Sequence, residues 1–262
     1  MKDIPVIEPK EVITTITNMK TGEKYKDDAE WKSKGIPKEE AFELSYLNLS
    51  KPETIQYVDK LLVNNSCFFR MYEIGKDSPK TRALAALIGK TVEQPFYTEM
   101  RTNQQLGYIV ASYPMSYDET YYLNFLIQSG DYPADDLNNR ANTFISSTPK
   151  IVEELTDETF QQLIDSAIER LERKPMSISE RAMKNKNLIF EHNKDFERDN
   201  KTIEALREVK KEEVAVHLEK IISEKSRKMA NILAFAENHA NKSNVKSSFV
   251  DLEDWKSTKI YD

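Results

Sequence analysis

The order of periods between Cys67 and Gln128 constrains the fold more than any other feature of the chain. Cys67-Phe-Phe-Arg-Met-Tyr72 is a β-rich run. From Pro79 the period turns helical, with Leu84, Leu87, Ile88 and Val92 on one face. Pro95 is placed to open a further short helix at its first turn, carrying Phe96, Tyr97, Met100 and Arg101. Gly107 can take the positive φ that ends such a run, after which Tyr108-Ile-Val-Ala-Ser-Tyr113 has strand propensity. Tyr121 to Gln128 reads as a second strand, and the polar connection Ser116 to Thr120 is short enough for an antiparallel hairpin. Upstream, Thr54 to Val63 reads as a neighbouring strand or a short helix.

The second half is mostly helical. Leu137, Ala141, Phe144 and Ile145 mark one helix. Phe160, Leu163, Ile164, Ala167, Ile168 and Leu171 mark a stronger one, with Thr156 as its N-cap. Ser177 and Glu180 have the spacing of a capping box for a helix carrying Met183, Leu188 and Phe190. Val214, Leu218, Ile221 and Ile222 mark another, followed by a strand at Met229 to Phe235. Strands first and helices after predict an α+β fold: a largely antiparallel sheet of four to six strands with helices packed on one face. Residues 1–45 differ, being rich in Lys, Glu and Asp apart from the strand-like Val12 to Ile16, and read as a lead-in or the end of a preceding domain. The remainder, 46–262, is the domain proper.

Chemistry is sparse. A formal charge of −6 disfavours non-specific attraction to nucleic acid or an anionic membrane. No apolar run has the length of a membrane span, so the chain reads as soluble, in a cytoplasm or a periplasm. Cys67 is the only cysteine, which excludes an intrachain disulfide and a zinc site built on several thiolates. His192, His217 and His239 are too far apart for either zinc-helix motif; His217 shares a helical face with Val214, Leu218 and Ile221 and reads as a packed histidine. There is no nucleophile elbow, and Gly89-Lys90-Thr91 lacks the upstream glycine of a phosphate loop.

Arg101 and Tyr108 remain as a polar pair flanking the helix-to-strand corner. Such an arginine can hold a carboxylate or a backbone carbonyl, and such a tyrosine can donate to a developing oxyanion. The alternative is a surface arginine beside a half-buried strand tyrosine.

The stretch QPFYTEMRTNQQLGYIVASYP, Gln94 to Pro114, resembles the C-terminal half of the insulin-degrading enzyme and pitrilysin family of zinc peptidases. NNSCFFRMY at Asn64, FLIQS at Phe125, LTDETFQ at Leu155 and FERDN at Phe196 agree with it in order. The resemblance implies a clamshell of two halves, of which the N-terminal one bears zinc and the C-terminal one closes the chamber. This chain is then the last domain of the non-zinc half. It has no cofactor of its own, and its partners are a peptide substrate and a zinc-bearing half on the same or a companion chain. By the same resemblance Arg101 and Tyr108 reach across to the active site to contact substrate backbone and the reacting carbonyl, while Tyr97 and Phe96 line a side-chain pocket. A free-standing partner subunit or peptide-binding module is the alternative expectation.

Overall fold

The computed structural model describes Ile16–Thr17, Lys24–Tyr25, residues 52–251 except 118 and 193, and Trp255 and Ser257. Ile16–Thr17 (β1) and Lys24–Tyr25 (β2) form a short antiparallel ladder in a unit separate from the rest. Of the strand-like run Val12 to Ile16, all but Ile16 lies outside the described residues, as does most of the 1–45 lead-in.

The larger unit is a five-stranded mixed sheet with helices on one face. Its strands are Glu53–Lys60 (β3), Ser66–Lys76 (β4), Ile109–Tyr117 (β5), Thr120–Ser129 (β6) and Lys228–Phe235 (β7), in the order β3-β7-β4-β6-β5. Every neighbouring pair is antiparallel except β3 with β7. This is the expected α+β, largely antiparallel architecture. One neighbour differs from the sequence reading: β3 lies against β7 rather than β4, because the last strand of the chain inserts between them. The hairpin between β5 and β6 is as expected, though both strands run further into the polar connection than propensity alone indicated.

The alternation of β4 decides which face is covered. Phe68, Tyr72 and Ile74 are buried towards the helices, together with Leu123, Phe125 and Ile127 of β6 and Leu233 and Phe235 of β7. The helices are Pro79–Tyr97 (α1), Ala134–Glu153 (α2), Asp157–Glu172 (α3), Ile178–Phe190 (α4), Arg198–Glu208 (α5) and Lys211–Ile222 (α6). Ser78 caps α1 by accepting from the Thr81 N–H, and Thr156 caps α3 through the Thr159 N–H. Ser177 accepts from the Glu180 N–H, but the Glu180 carboxylate reaches back one residue further, to the Met176 N–H at 2.6 Å. Helix α5 has no counterpart in the sequence reading, two of its four buried residues, Arg198 and Thr202, being polar and only Ile203 and Leu206 apolar.

Two breakers act differently from expectation. Pro95 does not open a new helix: α1 runs through it to Tyr97 and passes directly into a π-helical segment, Thr98–Asn103. Gly107 does not supply the positive φ; Gln105 does, at 53°. Helix α1 carries a different glycine for a packing reason. A Cβ on Gly89 would meet Pro114 Cδ at 2.5 Å, so β5 packs onto α1 only because that side chain is missing.

Arg198, in the FERDN run, ties α5 to the sheet. It donates to Asp77 through Nη1 at 2.5 Å and Nη2 at 3.2 Å, and to the Tyr121 hydroxyl at 3.0 Å. Arg82 donates to the same carboxylate at 2.9 Å. Burial alone pushes the Asp77 pKa up, but the hydrogen bonds from Arg198 and Arg82 outweigh it and hold the carboxyl below its ordinary value.

Candidate functional site

Arg101 lies in the π-helical segment, which ends in an unusual double closure. The Gln104 N–H donates to the Glu99 carbonyl at 3.0 Å, and the Leu106 N–H donates to Met100 at 2.9 Å. Met100 and Leu106 are both fully buried, so the turn is pinned from inside while its polar residues face out. The Arg101 guanidinium carbon then lies 5.7 Å from the centroid of the Tyr108 ring. That distance falls within cation–π range. The pair expected from the sequence is therefore brought together. Tyr108 is 87% exposed, so its hydroxyl is available to a ligand.

Gly107 explains the corner. A Cβ there would lie 1.8 Å from the Gln128 carbonyl oxygen on β6. The backbone enters β5 so close to its neighbour that only glycine fits, and Tyr108 projects from the adjoining residue. The sequence marked the right glycine; close approach, not backbone handedness, is its reason.

A brace from α2 holds the segment and was not foreseen. Gln104 accepts from Arg140 Nη1 at 3.0 Å and donates to Glu99 at 2.8 Å, and Asn103 donates to the same carboxylate at 2.8 Å. These hydrogen bonds, Gln104 first and then Asn103, hold the Glu99 pKa below its ordinary value. Arg140 in turn lies 4.9 Å over the Tyr132 ring and pairs with Asp136 at 3.1 Å. The link between Arg140 and Gln104 joins residues far apart in the sequence, so no local signal announces it.

The two expected pocket residues separate. Tyr97 is 44% exposed at the end of α1. Phe96 is 0% exposed and packs edge-on against Phe125 and Phe144, at centroid distances of 5.0 and 5.3 Å.

Beside this corner the sheet face opposite the helices is apolar and open. Ile109, Tyr113, Met115 and Tyr117 of β5 are exposed along it, and Ile232 of β7 continues it. Across it the pairing register aligns Phe69 with Leu126 and Ile232, so the face is continuous from strand to strand.

His217 donates from Nε2 to the Ile74 carbonyl, 3.0 Å away, as a packed histidine does. His239 bonds Ser66 at 2.8 Å, and His192 is partly buried. Among the described residues no three His, Cys, Asp or Glu side chains converge to hold a metal ion. Among them, too, no helix is long and apolar enough to cross a membrane.

Residues 87–186 match the family model described as PQQ synthase PqqF-like, C-terminal lobe domain 4. Human insulin-degrading enzyme is 31% identical over 160 residues, covering 60% of this chain. The chain spans only 16% of that enzyme's length. Among solved structures, pitrilysin superposes with a TM-score of 0.69 at 20% identity, covering 81% of this chain and 23% of its own. A peptidase inactive domain from Pseudomonas fluorescens gives 0.55 at 15% identity, over 73% of this chain and 45% of its own. The two structures bear on the fold.

Proposed function

We infer the function from one premise: the chain carries an insulinase-family C-terminal domain, a peptidase fold of the non-catalytic kind. The domain closes the chamber of a zinc endopeptidase that acts on short peptides and is inactive alone. The zinc belongs to an N-terminal half, on the same or a companion chain, in a cytoplasm or a periplasm.

In this reading Arg101 holds a backbone carbonyl of the peptide and Tyr108 donates its hydroxyl to the carbonyl oxygen as charge develops. Tyr97, backed by Phe96, borders a side-chain pocket, and the apolar sheet face forms a wall. The half-buried Arg101 and the exposed Tyr108, set on a pinned corner with the guanidinium 5.7 Å from the ring, are the observation that carries it. Donors supplied by an opposing half act only when the shell encloses a peptide, which makes turnover conditional on capture.

The test is steady-state kinetics of the assembled enzyme on a short peptide. Tyr108→Phe should lower kcat about tenfold or more, the scale of an oxyanion donor. Arg101→Ala should raise KM. Wild-type constants for both, in variants shown to be folded, would refute the assignment.

A further inference from the structure

On the helix side of the sheet, away from the Arg101 corner, a cavity of about 910 Å³ opens between α2, α6 and strands β3, β7 and β4. Arg70 of β4 forms part of its lining and is only 4% exposed. A guanidinium buried to this degree ordinarily has a carboxylate partner. Arg70 has none among the described residues. Its Nε donates to Asn231 at 3.1 Å, its Nη2 to Asn138 at 2.7 Å, and its Nη1 to the Tyr72 hydroxyl at 3.2 Å and to Asn142. Every acceptor is neutral. Four of the five guanidinium hydrogens are thereby used, and one on Nη2 is left.

The charge also orients its neighbours. Asn138 and Asn142 lie four residues apart on one face of α2, and each turns its amide oxygen to Arg70. Their Nδ2 groups donate to none of the described residues and are left to the cavity that both side chains line. Asn231 is different: its Nδ2 is engaged by Gln56 at 3.0 Å and Asn138 at 3.2 Å. A second cation, Arg227, borders the same cavity and repels Arg70, while burial first of all lowers the Arg70 pKa. Arg227 itself is turned to Thr54 at 3.1 Å and Glu224 at 3.8 Å. Lys150 and three carboxylates, Glu153, Glu219 and Glu224, also border the cavity, and none of the three pairs with Arg70.

We propose that this cavity binds a small carboxylate, held by the remaining Arg70 Nη2 hydrogen and the Nδ2 groups of Asn138 and Asn142. The carboxylate supplies the missing counter-charge, and its two oxygens can accept from these donors. The site is independent of the peptide-contacting corner.

Calorimetric titration of the full 262-residue chain with sodium acetate, and separately with inorganic phosphate, at fixed ionic strength tests this. Acetate should bind the wild type, and Arg70→Met should weaken it about tenfold or more. Asn142→Asp keeps Arg70 and places a carboxylate on it from within. That variant should lose acetate binding and melt at a higher temperature, so it decides the matter even if Arg70→Met fails to fold. No acetate binding by the wild type, equal binding by Asn142→Asp, or binding of phosphate in place of acetate would each overturn the proposal.

Discussion

Gly107 and Gln128 approach so closely that a single added carbon on Gly107 would sit 1.8 Å from the Gln128 carbonyl oxygen. Gly107→Ala cannot be relieved by turning a flexible side chain, because the obstacle is backbone. We expect a loss of about 2–4 kcal/mol in urea unfolding, the range for a substitution that forces strain. Tyr108 should shift with it. A variant as stable as the wild type would mean that the corner is looser than the contact implies.

Gly89 and Pro114 form a second close pair, but here the obstacle is a ring. Gly89→Ala should gain about 1 kcal/mol in helix propensity and lose more to the contact with Pro114. Removing the ring in Pro114→Ala should release that penalty. The double variant should then be more stable than the two single effects sum to, by about 1 kcal/mol or more. A cycle that closes to zero would show that the two sites do not touch energetically.

Stability should fall in two stages as pH drops. Burial lowers the pKa of His217, and that of His192, beneath the ordinary histidine value, so the unfolded chain takes up the proton first and stability is lost as pH falls below about 6.5. Asp77 behaves in the opposite sense to a buried acid. Its folded pKa is held down by Arg198 and Arg82, so its contribution is complete above the unfolded value of about 3.9 and is lost as pH falls through the folded one. His217→Gln should flatten part of the upper stage. Asp77→Asn should cost about 2 kcal/mol at neutral pH, by leaving two guanidinium groups without their carboxylate, and should shrink the lower stage. Urea midpoints measured from pH 3 to pH 8 would check both; a curve unchanged by either substitution contradicts the assignments.

Phe96 and Tyr97 are adjacent yet should respond differently. Phe96→Ala removes a ring from a cluster with Phe125 and Phe144 and should cost about 3–5 kcal/mol. Tyr97→Ala should cost under about 1 kcal/mol. Thermal unfolding of the two variants separates core from surface directly, and equal losses would mean that Tyr97 is packed.

The sequence carried most of the element order, because the switches from alternation to helical period are local. What it did not carry depends on distant residues. Nothing near Glu53 says that a strand at Lys228 will lie beside it. The role of Pro95 was misread because a proline suits either a first turn or, where packing enforces it, the body of a helix; Phe96 and Met100, both fully buried, hold α1 on course past it. At the site, Arg101 and Tyr108 stood out as residues, whereas their brace through Gln104 and Arg140 and the amide shell around Arg70 arise only once α2 packs against the sheet.

The insertion of β7 between β3 and β4 has a consequence for synthesis. β3 leaves the ribosome before its neighbour and has no strand to lie against until Lys228 to Phe235 emerge, and residues beyond those complete it further: the Ser248 N–H donates to the Gln56 carbonyl at 2.7 Å, and Ser247 Oγ accepts from the Val58 N–H at 2.8 Å. Such pairings, remote along the chain, form late and slowly. Between the emergence of β3 and that of β7 the nascent polypeptide therefore carries an unpaired strand, and a chain stalled before Lys228 offers β3 nothing to dock on.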